Sequence, residues 1–358
     1  MRIFKHLKII CIVILLLFTS ACNTNTVKND ENNLYIFIKN AERGYYEEKT
    51  GQTKVNFSTI NLKNGKVEKL AEFDAFFYIA GATVDFKKNT IYFADRHYLA
   101  GPEDYRNNDG DQIYSYNYKT KEKKKLTNNV YYRNNYLFYD NNDELYVLSG
   151  TYGEHRIALS KFDLLTNKST LLEEDIDKGF QKSNYNPITE ELITTIVSES
   201  ALYNAIEAQE TVKMFNYPTN DLYSYKDGEL SYITTTRTGA VNQIVANDDY
   251  IIYYLYDSTL DCEKSITKVN YDGFLTYNRK TKETTPGILG IDPPKNILDI
   301  FYLTKDSRYL ICGYRDKNYA YASDLLIKYD LVENTYEVIA NITENFKPGF
   351  KRVSVVKK

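Results

Sequence analysis

The residues able to do acid–base, nucleophilic or metal chemistry are few and scattered in this chain of 358 residues. It has three histidines, His6, His97 and His155, and four cysteines, Cys11, Cys22, Cys262 and Cys312. None of them forms a His-x-x-x-His or Cys-x-x-Cys pair, so a zinc site has no nucleus. A serine hydrolase would have to draw on His97 or His155, and no Gly-x-Ser-x-Gly elbow precedes a helix. No glycine-rich phosphate loop occurs. Asn107-Asn-Asp-Gly-Asp111 glances at a calcium loop, but an EF-hand register puts Tyr105 and Tyr116 at the two end ligand positions. No cofactor and no metal is therefore expected. The acids Asp95, Glu103, Asp104, Asp109 and Glu154, with His97 or His155, are the set that a glycan-cleaving enzyme of the cell envelope, hydrolase or lyase, would use.

A second group of residues suits recognition. Tyrosine occurs 35 times and tryptophan never. Many tyrosines fall in alternating strand-like runs, where aromatic packing explains them. Others stand with arginines in segments lacking that alternation: Tyr45 and Tyr46; Arg96, His97, Tyr98, Tyr105 and Arg106; Tyr132 and Arg133; Tyr152, His155 and Arg156; Tyr203, Phe215 and Tyr217; Arg237; Arg315 and Tyr319. Tyr and Arg combine rigid area with hydrogen-bonding tips, which recognition surfaces favour.

What positions them is a repeat. Ile113-Tyr-Ser-Tyr-Asn117-Tyr-Lys-Thr-Lys reads as a strand, a tight turn and the start of a second strand. Variants end on Asn61, Asp163, Tyr225, Asn278 and Asp330, giving successive intervals of 56, 46, 62, 53 and 52 residues. Asn or Asp at the strand end can accept a bond from its own backbone two residues on, which starts the turn. Upstream of most copies lies a more apolar hairpin, as in Ala82–Phe93, Tyr136–Val147, Ile244–Tyr253 and Ile300–Ile311. Each unit is thus four strands, the pattern of a β-propeller blade.

The repeat resembles TolB-like and WD40-like propellers, without the Trp-Asp and Gly-His signatures of true WD40 blades. The resemblance implies an all-β fold of four-stranded antiparallel blades over residues 34–358. Six blades fit the spacing, with seven or an irregular array as the alternative. The first blade lacks an innermost strand, which Arg352–Val356 could supply by closing the ring. In each blade the first-to-second and third-to-fourth turns are short. The second-to-third connections are long, at about 40–52, 95–111, 150–156, 199–220, 257–272 and 315–323. One face is therefore bare turns and the other carries the Tyr and Arg residues, where binding residues usually sit. Within the longest connection, Ala201–Met214 is rich in helix formers and predicts a short helix.

The first residues give an address. Arg2, Lys5 and Lys8 precede an apolar run, Ile9–Phe18, too short to span a bilayer. It ends Leu17-Phe-Thr-Ser-Ala-Cys22. This resembles the lipobox of bacterial lipoproteins, with Thr19 where that family prefers an aliphatic residue. The resemblance implies a signal peptide over 1–21, acylation of Cys22, a polar tether over 22–33 and a lipid-anchored protein facing outward in the bacterial envelope. Removing residues 1–21 takes the net charge from −3 to −6. That acidity argues against a nucleic-acid partner and leaves the anchor to acyl chains. Cys262 and Cys312 would remain for one disulfide. The expected activity is non-enzymatic: binding of a protein, peptide or glycan through the long-loop face.

Overall fold

The structure, a computed structural model, describes residues 30–42, 52–76, 81–98, 108–128, 131–151, 156–316, 324–346 and 349–358. Strands β1 (Leu34–Glu42), β2 (Gln52–Asn61) and β3 (Val67–Phe76) pair antiparallel in chain order as blade 1. Blade 2 is β4 (Ala82–Asp85), β5 (Thr90–Tyr98), β6 (Asn108–Asn117) and β7 (Lys123–Lys125). Blade 3 is β8 (Tyr131–Tyr139), β9 (Glu144–Thr151), β10 (Ile157–Asp163) and β11 (Lys168–Leu171). In blade 4, β12 (Lys178–Asn186) and β13 (Glu191–Ser198) are followed by helix α1 (Glu199–Thr211) and β14 (Met214–Asn216). The chain then returns as β15 (Thr219–Lys226) and β16 (Glu229–Thr238). Blade 5 is β17 (Ala240–Ala246), β18 (Tyr250–Asp261), β19 (Ile266–Asn278) and β20 (Thr284–Pro286). Blade 6 is β21 (Ile297–Leu303), β22 (Tyr309–Tyr314), β23 (Leu325–Asp330) and β24 (Thr335–Asn341). The last strand, β25 (Gly349–Lys357), pairs with β1 from Leu34↔Lys357 to Glu42↔Gly349 and becomes the innermost strand of blade 1.

The result is a six-bladed, all-β propeller, closed as the sequence implies. Six apolar clusters hold it. Each lies between two adjacent blades, and Ile36, Ile38, Tyr302 and Leu326 join blade 6 to blade 1. Phe57, Phe73 and Phe93 join blades 1 and 2 through ring contacts of 5.1–5.6 Å. Leu148, Phe180 and Tyr185 do the same for blades 3 and 4. Much of the tyrosine excess is spent here, on ring area between splayed sheets.

The turn chemistry is local and repeats with little variation. Asn61, Asn117, Asp163, Asn278 and Asp330 each end the third strand of their blade. Each side chain accepts the amides two and three residues on, at 2.7–3.1 Å. The residue four after each anchor has positive φ: Gly65, Lys121, Asn167, Lys282 and Asn334. Only blade 4 differs, using a two-residue Asp227-Gly228 turn with positive φ at both positions, as a type I′ hairpin requires.

Two sequence expectations are corrected. Residues 257–272 are not a loop: β18 and β19 run through them paired from Tyr250↔Asn278 to Asp261↔Ile266, with one bulge between Asp257 and Ser258, closed by a four-residue turn. Their innermost partner β17 stops at Tyr256, so the hairpin continues beyond the blade and there picks up β14, Met214↔Asp261 to Asn216↔Thr259. Cys262 and Cys312 form no disulfide. Cys262 lies in the hairpin turn, whereas Cys312 is fully buried in the cluster between blades 5 and 6, and both are free. The expected helix forms, over Glu199–Thr211. Ser198 caps it, its Oγ accepting the Ala201 amide at 3.1 Å.

Candidate functional site

Antiparallel pairing puts every second-to-third and fourth-to-first connection at one end of the ring. A cleft of about 870 Å³ opens at that end between blades 5 and 6. One wall is the mid-section of β18 and β19, with Tyr254, Tyr271, Asp272 and Phe274. The other is the connection from β20 to β21, with Asp292, Pro293, Pro294 and Lys295. Gly287 starts that connection at φ +84°, and a Cβ there would come within 2.4 Å of the Ile291 carbonyl oxygen. The Arg315 amide anchors it, donating to the Asn296 carbonyl at 2.9 Å. Gln243 closes the floor: it donates to the Leu298 carbonyl and accepts the Ile300 amide at 2.8 Å.

The cleft's polar groups are set for binding. Tyr254 stands edge-on to Phe274 at 4.9 Å and its hydroxyl donates to Asp272. Burial and that carboxylate push the phenol well above its ordinary range, so it stays protonated. Tyr271 donates to the Phe274 carbonyl at 2.7 Å, and its phenol too is pushed up, chiefly by burial, while Arg237 opposes the shift. Arg237 lies 3.9 Å from the centre of the Tyr271 ring. The pair of protonated phenols presents ring edges and faces. Asp272, Asp292 and Lys295 supply charge of both signs, and Asn242 an amide.

Of the residues singled out in the sequence, Arg237 flanks this cleft with its side chain and Arg315 supports it through the backbone. Phe215 and Tyr217 meet edge-on at 4.8 Å beside the projecting hairpin, and Tyr217 lines a small cavity of about 90 Å³ with Leu202 of α1. Tyr203 stands 67% exposed on α1. Arg156 is buried and holds the connection into β12, donating to the carbonyls of Glu173 at 3.1 Å and Lys178 at 3.4 Å, and to that of Asp175. Arg96, His97 and Tyr98 end β5, and Tyr132 and Arg133 open β8, all at the long-loop end. Cys22, Tyr45, Tyr46, Tyr105, Arg106, Tyr152, His155 and Tyr319 lie outside the described residues, as do Glu103, Asp104 and Glu154. Asp95 is nearly buried and pairs with Lys123 at 2.9 Å.

The cleft tyrosines were not among the sequence candidates. Tyr254 and Tyr271 sit in strand-like context, where packing is the default explanation. Their signal was the unbroken β-rich run Tyr250–Leu260, too long for a blade strand alone.

No known family's sequence profile matches the chain, and no curated protein matches it. Among solved structures it is similar to TolB from Acinetobacter baumannii, at 10% identity over 92% of this chain and 68% of that one, TM-score 0.48. It is similar to a chain of a nidogen/laminin complex, at 9% identity over 89% and 98%, TM-score 0.45. It is also similar to an oligogalacturonate lyase from Vibrio parahaemolyticus, at 12% identity over 75% and 78%, TM-score 0.38.

Proposed function

We propose that this protein is a lipid-anchored, extracytoplasmic binding propeller. In this account Cys22 carries the acyl chains, and the long-loop face captures a polypeptide or glycan in the cleft between blades 5 and 6. The observation that carries the proposal is that cleft: a concave site of about 870 Å³ on a rigid ring, lined by paired tyrosines with a few charged groups. Its chemistry favours binding over turnover. The phenols hold their protons, and Asp272 already accepts from Tyr254. The innermost strands of the ring carry two carboxylates, Asp85 and Asp299. Asp85 is consumed by its own turn and by Tyr139, whose hydroxyl donates to it at 2.9 Å.

The test is capture from solubilised envelope by the full-length protein and by Asp272→Ala and Lys295→Ala variants, with Arg308→Ala on the short-turn face as control. Binding by the parent and control, and loss from both cleft variants, supports the site. Equal capture by all four contradicts it. Cleavage of the captured material would replace the binding reading with an enzymatic one. For the anchor, Cys22→Ser is expected to move the protein from the membrane to the soluble fraction, and unchanged membrane association contradicts the lipid.

A further inference from the structure

The long hairpin of blade 5 leaves a sheet edge open beside the cleft. Beyond the blade, β18 and β19 continue as a paired arm, and β14 covers the far side of β18 from Asn216↔Thr259 to Met214↔Asp261. The outer side of β19 is different. There β20 pairs only with Leu275, Thr276 and Tyr277, and the ladder ends where the Gly287 amide donates to the Phe274 carbonyl at 2.8 Å. Gly287 then turns the chain away at φ +84°. From Ile266 to Asp272, no strand among the described residues pairs with that side of β19.

The pleat fixes which backbone groups are open. In an antiparallel ladder, alternate residues turn both N–H and C=O to the same neighbour. The Cys262 amide donates to the Lys213 carbonyl at 2.7 Å, which assigns Cys262 and Leu260 to β14, and Asp261 and Thr259 to β19. Ile266 and Lys268, opposite those two, therefore face β18, and Thr267 and Val269 face outward. Past the bulge at Asn270 the alternation resumes in the other phase. The Phe274 carbonyl accepts from Gly287 and the Asn278 amide donates to Glu283, so Asp272, two residues before Phe274, also faces outward. Thr267, Val269 and Asp272 thus present amides and carbonyls along one open edge. Val269 is 51% exposed, and Thr267 and Asp272 are exposed as well.

Lys268 and the Asn270 bulge discourage indiscriminate pairing of this edge but do not cover it. The edge runs into the cleft. Tyr271, Asp272, Gly273 and Phe274 line it, and so do Pro286 and Gly287, where β20 ends. The cleft therefore lies where a strand beside β19 would continue past β20. An extended backbone fits that place, because it presents amides and carbonyls at the spacing of a β-ladder, which a glycan lacks. Gly273 offers no side chain to hold such a backbone off, and glycine within a strand often marks this kind of close approach. Pro293 and Pro294 in the opposite wall have no N–H to give, so that connection is unsuited to fill the place itself.

We propose that the ligand of this cleft is an extended polypeptide segment that adds to β19 as a strand, in line with β20. This rests on ligand capture in the cleft and names the class of ligand. A display library of random dodecapeptides is selected on the full-length protein in detergent, and the tightest binder is resynthesised with alternate amides N-methylated, in each of the two phases. The phase that removes the donors to β19 is expected to weaken binding at least about tenfold, and the other phase much less. Val269→Pro removes an outward amide and no bond to β18, so it should also weaken binding about tenfold, while Val269→Thr should not. No enriched peptide, or the same result from both phases, overturns strand addition whether or not the proline variant folds. Self-association of the protein that Val269→Pro abolishes would give the edge to a second copy and overturn it too. If strand addition fails while Asp272→Ala and Lys295→Ala still lose the captured material, the cleft stands with another class of ligand. If those two variants capture normally, the cleft itself is ruled out.

Discussion

Ile38 in the first strand lies directly opposite Val353 in the last. This last strand is therefore an internal structural member, and the inner edge of β1, which would otherwise be exposed, is paired. Val355 and Val356 of the same strand are buried, each contributing about 1.5–3 kcal/mol of apolar burial. Deletion of residues 350–358 is expected to lower the melting temperature by at least about 10 °C, at roughly 2–4 °C per kcal/mol. An unchanged melt in calorimetry would show that the ring does not depend on this strand.

The positive-φ position of the repeated turn offers substitutions of opposite sign. At Gly65, φ is +67° and a Cβ would lie 2.1 Å from the Ile339 carbonyl oxygen. Gly65→Ala should cost about 2–4 kcal/mol from steric and left-handed strain together. Lys121 occupies the equivalent place at φ +66°. Lys121→Gly should stabilise by about 0.5–1 kcal/mol, the relief of strain exceeding the added chain entropy. Urea unfolding of the two variants decides, and a shared sign would contradict the turn geometry.

Blades 4 and 5 share a buried ion pair on the short-turn face. Arg279 Nη2 donates to both Glu191 oxygens at 2.9 and 2.8 Å, with Glu191 only 2% exposed, and Ser224 donates to the same carboxylate. Removing one partner leaves the other charge buried. Glu191→Ala should therefore destabilise by about 3–5 kcal/mol. Glu191→Ala/Arg279→Ala should lose less than the two single losses added together. Strict additivity would mean that the pair is not coupled.

Asp140 supplies a pH signature. Burial raises its carboxyl from 3.8 to about 6, with Glu144 adding repulsion and the amides of Asn142 and Glu144 opposing the shift. A raised carboxyl pKa means the native state keeps a proton that the unfolded chain has lost. Stability from this group is present at low pH and lost as pH rises from about 4 to 6. Asp140→Asn keeps the acceptor for the Asn142 amide and carries no charge. Its stability relative to the parent should increase between pH 4 and pH 7 in urea unfolding. A difference independent of pH would contradict the assignment.

What the sequence disclosed was what is local. Asn117 and Asp163 announce their turns because the side chain bonds amides two and three residues away, with no help from the rest of the fold. Five such anchors, together with the Tyr225 hairpin of blade 4, set the blade count, and the alternation before them set the strands. The β1–β25 pairing was legible because β1 had no upstream partner. The sites were harder. Tyr254 lies within the blade, opposite Gln243, but Tyr271 lines the cleft only because β18 and β19 stay paired past the blade, a tertiary outcome that polar residues between 257 and 272 disguise as a loop. Lys182 and Tyr136, on the neighbouring blades 4 and 3, meet where bulges interrupt their strands, which no short pattern encodes. Arg156, which looks like a recognition residue, is taken up by backbone carbonyls of the next connection.

A ligand held at the long-loop end between blades 5 and 6 would shield the backbone there. Amide hydrogen exchange of the full-length protein, with and without the captured partner, tests it most directly. Slowed exchange is expected in 250–274 and in the 287–298 connection, with the short turns at 61–66, 117–122 and 278–283 unaffected. Protection confined to those short turns, or none in the cleft at saturation, would contradict it.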